Sequence, residues 1–128
     1  MLGTISVRDY MASNLITLSP DTDILSAIRQ IIANRISGAP VVDADGHLVG
    51  MLSERDCLKV ALQADYYAEA GAKVSEFMTT DVRTIDVSTN ILELAEMFVE
   101  QPYRRYPVTE AGRLVGQISV RDVLRALD

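Results

Sequence analysis

A repeated stretch limits the folds open to this chain of 128 residues. The sequence GMLSERD at Gly50–Asp56 returns as GQISVRD at Gly116–Asp122, with Gly, an apolar residue, Ser, Arg and Asp at the same offsets. The correspondence extends upstream, where Val7 matches Val74 at an offset of 67 positions. One residue is missing from the second copy's turn, so the offset is 66 further on. Because the copies cover nearly the whole chain, the sequence predicts two units of similar fold.

Each copy is predicted to follow the order β-α-β-β-α, which makes the fold α+β. In the first copy the predicted elements are a strand at Leu15–Leu18, a helix at Asp23–Asn34, strands at Ala39–Val42 and His47–Leu52 around a turn at Asp43–Gly46, and a helix from Glu54 to about Ala64. In the second copy the predicted strands are Val82–Ile85, Tyr106–Thr109 and Arg113–Ile118, with a turn at Ala111-Gly112.

Apolar spacing predicts which helix faces are buried. The predicted faces are Ile24, Leu25, Ile28, Ile31 and Ile32 in the first copy, and Ile91, Leu92, Ala95, Phe98 and Val99 in the second. Asp21 or Thr22 is predicted to cap the first helix. We place the domains at residues 7–64 and 74–128, with a linker at 65–73 that includes a helical extension ending at Gly71. Each repeat is too small to bury its own apolar face, so we expect a pseudo-two-fold pair.

Composition excludes several classes of function. The net charge of −6 argues against non-specific nucleic-acid binding, which depends on an excess of Lys and Arg. No apolar run approaches the roughly 20 residues that a membrane span needs. The N-terminus lacks a basic start followed by an apolar stretch, so we expect no signal peptide and a cytoplasmic location. The lone Cys57 lies among apolar helix positions, which favours a buried free thiol.

The Ser-x-x-Asp pattern at the predicted strand-to-helix junctions has two interpretations. Ser53 with Asp56, and Ser119 with Asp122, fit a capping box that only satisfies the helix ends. Backbone N–H groups at a helix start also form an anion site. The two roles can coexist, since Ser can cap the helix while Asp faces a ligand.

The ordered motifs of both copies resemble the CBS domain, named for cystathionine β-synthase. In the first copy they are Met11, Thr17, Pro20, Ile24-Leu25-x-Ala27, Pro40-Val41-Val42-Asp43, Gly46, Leu48-Val49-Gly50 and Ser53-x-x-Asp56. In the second they are Met78-Thr79, Thr84, Pro107-Val108, Gly112, Leu114-Val115-Gly116 and Ser119-x-x-Asp122. Two such domains in tandem resemble a Bateman module. The resemblance implies binding of adenosine-containing ligands (AMP, ADP or ATP, alternatively NAD(H) or S-adenosylmethionine) in clefts between the repeats.

The same resemblance implies a set of contact residues. Asp56 and Asp122 would accept hydrogen bonds from ribose hydroxyls. Ser53 and Ser119 would hold ribose or phosphate, and Arg55 and Arg121 would add charge-assisted contacts. Thr17 and Thr84, one on the predicted short strand of each repeat, would contact phosphate or base. The remaining implied residues would border the base and phosphates, and they are Ser37, Gly38, Ala39 and Pro40 in the first repeat and Arg104, Arg105, Tyr106 and Pro107 in the second.

The two implied sites are expected to differ. Arg104-Arg105 corresponds to the uncharged Ser37-Gly38, so the site beside the arginines should prefer the more phosphorylated ligand. An exposed arginine pair is equally typical of a solvated surface. Tyr106 could stack on adenine or fill the interior.

Catalysis is not expected, and no catalytic residue, catalytic cofactor or metal site is predicted. The single histidine, His47, lies beside a hairpin turn, and no metal-binding, nucleophile or P-loop motif occurs. We therefore predict a non-catalytic adenine-nucleotide sensor that regulates a partner protein in trans. The resemblance also implies a homodimer. The alternative is an assembly module that mediates protein interaction without a ligand.

Overall fold

The predicted order of a helix, a β-hairpin and a second helix occurs twice in the structure, a computed structural model that describes residues 2–63 and 71–128. The first copy contains α1 (Ile24–Ala33), β1 (Gly38–Val42), β2 (Leu48–Ser53) and α2 (Glu54–Leu62). The second contains β3 (Ile85–Asp86), α3 (Ile91–Glu100), β4 (Arg105–Glu110), β5 (Arg113–Ser119) and α4 (Val120–Leu127). Short 3-10 turns lie at Leu2–Thr4, Val7–Asp9 and Val74–Glu76. The α+β class is confirmed.

Both hairpins have the predicted pairing. β1 runs antiparallel to β2 with Gly38 opposite Ser53, and β4 runs antiparallel to β5 with Arg105 opposite Ser119. The second hairpin turns at Ala111 and Gly112, whose φ angles of 53° and 79° are those of the left-handed turn that suits a two-residue hairpin loop. The hairpins therefore place each Ser beside the residue that starts the opposite strand.

The short strand before each first helix is smaller than predicted. β3 is two residues long and runs parallel to β4, with Ile85 opposite Val108. In the first copy only Leu18 pairs in this way, through a parallel bridge to Val41. The prediction of a strand over Leu15–Leu18 was therefore wrong for all but its last residue.

Chain segments group in space differently from the sequence repeats. The terminal unit contains the residues up to Leu15 together with Arg83–Asp128, and the central unit is Ile16–Val82. The first residues of each repeat thus pack with the other repeat. Residues 64–70, which include most of the predicted linker, lie outside the described residues, so the helical extension ending at Gly71 and the linker at 65–73 stay predictions. Ala72, at the far end of that range, is 2% exposed in the core of the central unit.

We call the first residues of the two repeats, residues 7–15 and 74–82, the exchanged segments, because each packs with the other repeat. They attach through matching backbone hydrogen bonds. In the terminal unit the N–H groups of Ala12 and Gln117 each donate to the carbonyl of the other at 2.9 Å. In the central unit Thr79 and Met51 exchange the same pair of bonds, at 2.8 and 2.9 Å. Each segment therefore adds one pair of backbone hydrogen bonds to the outer edge of a hairpin from the other repeat.

Two glycines allow this close approach. A Cβ on Gly116 would lie 2.8 Å from the carbonyl oxygen of Ala12 and 2.5 Å from Sδ of Met11. A Cβ on Gly50 would lie 3.0 Å from the carbonyl oxygen of Thr79. The glycine of the repeated motif is thus explained by packing at this edge.

Each unit has its own apolar core. The buried residues of the central unit are Leu18, Ile24, Ala27, Ile31, Ala39, Val41, Leu52, Val60, Ala72, Val74 and Phe77. Those of the terminal unit are Val7, Ile85, Val87, Ile91, Leu94, Tyr106, Val108, Ile118 and Val123. Both cores therefore draw residues from the exchanged segments.

The predicted helix faces were wrong at their edges. Leu25 and Ile32 of α1 are 45% and 70% exposed, and Ala27 is buried instead. Leu92 and Val99 of α3 are 48% and 86% exposed. These residues lie one position, or about 100°, beyond the buried row on a helix of 3.6 residues per turn. The predicted cap at Asp21 or Thr22 was also wrong, because the N-cap is Asp23, whose carboxylate accepts from the Ser26 N–H at 3.1 Å.

Gly116→Ala should lower the free energy of unfolding by about 1–3 kcal/mol, because the added Cβ would overlap the backbone of the exchanged segment. Urea denaturation measures this change. Gly3→Ala is the matched control, since nothing lies within 4 Å of a Cβ at that position. Equal stability of the two variants would contradict the packing explanation.

Candidate functional site

The β2–α2 junction is closed by a reciprocal capping box. The Asp56 N–H donates to Oγ of Ser53 at 3.1 Å, while the backbone N–H and the hydroxyl of Ser53 both donate to Oδ2 of Asp56 at 2.9 Å. Asp56 is only 5% exposed, and its Oδ1 accepts from Nζ of Lys59 at 3.3 Å. The Thr79 hydroxyl lies 3.4 Å from both carboxylate oxygens. This carboxylate therefore has several donors inside its own unit.

The β5–α4 junction repeats the arrangement. The Asp122 N–H donates to Oγ of Ser119 at 3.2 Å, and the Ser119 N–H donates to Oδ2 of Asp122 at 2.9 Å. Oδ1 of Asp122 accepts from Arg125 at 3.0 Å. The side chain of Asp122 is 15% exposed, against 8% for Asp56. The capping interpretation is thus observed at both junctions, and the ligand role of the two aspartates stays a prediction.

A basic pocket lies at the start of α4. Its volume is about 440 Å³, and its lining residues are Arg104, Arg105, Ser119, Val120, Arg121 and Leu124. All three arginines are exposed, and none of them forms an ion pair with another residue of the described ranges. We call this the arginine pocket. It combines the three guanidinium groups with the positive end of a helix.

A second pocket of about 250 Å³ adjoins it and shares Arg105 and Ser119. Its other lining residues are Ala12, Gln117 and Asp122. We call this the amide pocket, after the Gln117 side chain. The two pockets together offer cationic donors on one side and neutral or acidic hydrogen-bonding groups on the other.

The pockets bring together only part of the predicted site. Arg104, Arg105, Ser119, Arg121 and Asp122 meet around the start of α4. Thr84 is exposed just before β3 and lines neither pocket. Ala12 and Gln117 were missed. Gln117 lies inside the repeated motif, but nothing local in the sequence places Ala12, from the first repeat, beside it.

The equivalent residues of the first repeat are dispersed. Thr17 lines a separate pocket of about 350 Å³, whose other residues are Leu18, Ser19, Pro20, Asp21, Val42, Asp43 and Ala44. Ser37 is exposed, and Gly38 lies opposite Ser53 in the hairpin. Arg55 is exposed in the first turn of α2. Ala39 and Pro40 are buried, so their side chains offer little surface to a ligand.

Tyr106 fills the core of the terminal unit. It is 2% exposed and packs against Phe98 and Tyr103, with ring centroids 5.1 and 5.6 Å apart. Its buried hydroxyl has no hydrogen-bond partner among the described residues. Burial raises the pKa of this hydroxyl. Of the two roles considered for Tyr106, the structure therefore supports filling the interior, and the neighbouring Pro107 is also buried.

The first hairpin turn contains a group of potential metal ligands, Asp43, Asp45 and His47, whose ligand atoms lie within 4.8 Å of one another. Oδ1 of Asp43 accepts the backbone N–H groups of His47 and Asp45 at 2.9 Å each. These bonds, that of His47 first, lower the pKa of Asp43. The carboxylate thus has a structural role in the turn, and the arrangement carries no assignment of a metal.

In both repeats a β-hairpin leads into a helix whose start is closed by a Ser-x-x-Asp capping box. The family model of the CBS domain matches residues 7–63 and again 74–128. The chain therefore belongs to the CBS domain family and contains two such domains in tandem.

Solved structures share this fold. The chain is 31% identical to CBSX2 from Arabidopsis thaliana in a crystal structure with AMP, where the alignment covers 96% of both chains with a TM-score of 0.82. It is 25% identical to the CBS domain pair of protein MJ0100, covering 95% of this chain and 94% of that one with a TM-score of 0.73. The MJ0100 pair was crystallised with 5′-methylthioadenosine and S-adenosyl-L-methionine.

A longer relative is protein MJ1225 of Methanocaldococcus jannaschii, which is 31% identical over 121 residues. The match covers 94% of this chain but only 42% of MJ1225. Within the described ranges, no helix is both long enough and apolar enough to cross a membrane.

Ser119→Ala should lower the free energy of unfolding by about 1 kcal/mol, because the Asp122 N–H loses its acceptor. Chemical denaturation measures this loss, and Ser53→Ala should show a loss of similar size. Ser13→Ala, at an exposed position outside the helices, serves as the control. A loss no greater than that of the control would mean that the caps contribute nothing to stability.

Tyr106→Phe should raise the free energy of unfolding by about 1 kcal/mol, because it removes a buried hydroxyl that has no partner. Tyr106→Ala should lower it by about 3–5 kcal/mol through loss of the ring. Thermal unfolding of both variants measures the contrast. Destabilisation by Tyr106→Phe would show that the hydroxyl is paired after all.

Proposed function

We propose that this chain is a non-catalytic regulatory module that binds adenine nucleotides (AMP, ADP or ATP) and signals to a partner protein. The observation that carries the proposal is the arginine pocket, where Arg104, Arg105 and Arg121 surround Ser119 at the start of α4. Guanidinium groups and helix N-termini both favour phosphate oxygens. A volume of about 440 Å³ is in the range of small-molecule sites.

The amide pocket supplies the second half of a nucleotide site. Asp122 and Gln117 offer acceptors and donors of the kind that sugar hydroxyls use. Because Arg105 and Ser119 line both pockets, a ligand with a sugar in one and its phosphate in the other would contact both residues. The AMP complex of CBSX2 supports an adenosine nucleotide as this ligand.

Charge separates the candidate adenosine ligands. The MJ0100 complex supports 5′-methylthioadenosine or S-adenosylmethionine as a second candidate. Neither compound carries a phosphate, and the sulfonium of S-adenosylmethionine is a cation that three arginines would repel. The arginine pocket therefore favours nucleotides over both, and over a module that binds no ligand.

A regulatory role fits the chemistry of the described residues better than catalysis. The Ser53 and Ser119 hydroxyls are engaged in capping boxes, and neither has a histidine beside it to act as a base. His47, the chain's single histidine, lies in a hairpin turn. Signalling requires that nucleotide bind one conformation of the module, or of its complex with a partner, more tightly than another.

The predicted homodimer and cytoplasmic location stay predictions. Exposed leucines on α2 (Leu58 at 68% and Leu62 at 86%) and on α4 (Leu124 at 58% and Leu127 at 59%) give a dimer an apolar surface to bury. Such patches on a soluble domain are typical of interaction surfaces.

Thermal unfolding of nucleotide-free protein with AMP, ADP, ATP, NADH, 5′-methylthioadenosine and S-adenosylmethionine tests the proposal. At 100 times its dissociation constant a nucleotide should stabilise the fold by about 2.7 kcal/mol, which raises the midpoint by roughly 5–15 °C. Asp122→Ala should weaken that shift. Asp9→Ala is the matched control, because it removes a capping-box carboxylate of the same unit that lines neither pocket.

If the nucleotide raises the unfolding midpoint of both variants as much as that of the unmodified protein, Asp122 is not part of the binding site. The absence of a shift with every compound would contradict nucleotide binding and favour the assembly module. A rise in the midpoint with S-adenosylmethionine alone would show that S-adenosylmethionine, and not a nucleotide, is the ligand.

A further inference from the structure

The first helix of each repeat exposes a stripe of apolar side chains. In α1 the residues Leu25 and Ile32 are 45% and 70% exposed. They lie seven positions apart, which is two helical turns, so both side chains leave the helix on the same side. The matched residues of α3, Leu92 and Val99, are 48% and 86% exposed. Apolar surface of this kind is typical of a protein interface.

Each stripe contains one charged residue, and the two charges have opposite sign. Arg29 of α1 corresponds to Glu96 of α3 at the repeat offset of 67 positions. Each lies four residues after the first apolar residue of its stripe and three before the second, spacings that make neighbours on a helix surface. We call the α1 set the basic stripe and the α3 set the acidic stripe. The basic stripe is Leu25, Ile28, Arg29 and Ile32, and the acidic stripe is Leu92, Ala95, Glu96 and Val99.

Neither charge is neutralised nearby. Arg29 and Glu96 are both exposed, and neither forms an ion pair with another residue of the described ranges. The helix α3 has two further exposed acids, Glu93 and Glu100, and no base, whereas α1 has no acid. The second helices of the repeats do not differ in this way, because their basic residues lie at matched positions. Complementary charge is therefore a property of α1 and α3.

We propose that the basic stripe of one chain binds the acidic stripe of a second copy of the chain. Such a contact is heterologous, because two different surfaces of the same chain meet in it. Arg29 of one copy then faces the carboxylates of α3 in the other, and the apolar residues of both stripes leave water together. The inference goes beyond the proposed function, since it requires no ligand.

Electrostatics distinguishes this contact from the two symmetric ones. Two basic stripes would bring Arg29 of one copy toward Arg29 of the other. Two acidic stripes would bring the glutamates of α3 toward the same glutamates of a second copy. Like charges across an interface suppress the wrong pairing, while complementary charges fix its orientation. Of the three arrangements, the mixed one alone has apolar burial and charge acting in the same direction.

Sedimentation velocity over a dilution series of nucleotide-free protein tests the proposal. The unmodified chain should self-associate. Arg29→Glu and Glu96→Arg should each raise the dissociation constant about ten-fold, because an ion pair becomes a pair of like charges. A chain with both substitutions should recover most of the lost affinity, since opposite charges again face each other. Arg113→Glu is the matched control, because it reverses an exposed charge on β5 outside both stripes and should not change association.

Chemical cross-linking tests which helices meet. Arg29→Lys keeps the positive charge and supplies an amine, which a carbodiimide joins to a nearby carboxylate as an amide while the reagent takes up the released water. Mass spectrometry of peptides should find the introduced lysine joined to a glutamate of α3. A mixture of chains labelled with ¹⁴N and ¹⁵N should give links of mixed label, which form only between two copies.

The outcomes that would overturn the proposal are distinct from failure of nucleotide binding. They are an unmodified chain that stays monomeric, single variants that associate as tightly as the unmodified chain, a double variant as weak as the single ones, and cross-links without mixed label. Circular dichroism establishes that each variant folds. Arg29 and Glu96 line neither the arginine pocket nor the amide pocket, so nucleotide binding would stand in every one of these cases.

Discussion

The exchange of segments between the repeats is the constraint on which the rest of the structure depends. Ala12 pairs with Gln117, and Thr79 pairs with Met51, so the hairpin edge of each repeat is completed by the beginning of the other. Val7 and Val74 are both fully buried in cores made mostly by the other repeat. Neither repeat would therefore have a complete core as an isolated stretch of sequence, and the chain folds as a pair.

The capping boxes connect this framework to the candidate site. Ser53 and Ser119 are each the last residue of a strand and the N-cap of the next helix. Because the cap holds the helix start at the end of the strand, Val120 and Arg121 of α4 line the arginine pocket from a rigid support. Asp122 accepts from its own helix start and still lines the amide pocket. A carboxylate has two oxygens and can serve both purposes.

The two repeats share their backbone geometry at the helix starts but differ in the charge of the surrounding side chains. The hydrogen bonds from Glu54 to Ser37 and from Val120 to Arg104 differ by only 0.1 Å, from 2.9 to 3.0 Å, while the side chains around them differ by three charges. A surface side chain can change sign at little cost in stability, since exposed charges contribute little to folding. Binding specificity is thus free to differ between two copies of one fold.

Local sequence determined the helices and the hairpins, because helix periodicity, hairpin turns and Ser-x-x-Asp caps act over a few residues. It did not determine the short first strand of each repeat, whose pairing is with a strand further along the chain. The repeat and its motifs also indicated the family, which the matches at 7–63 and 74–128 confirm. Only tertiary structure decided that the first residues of each repeat pack with the other, since two similar copies present similar edges to either segment. It also decided that Tyr106 is buried and that Leu25 and Ile32 are exposed. Apolar spacing gives the direction of a helix face, whereas its width depends on what packs against it.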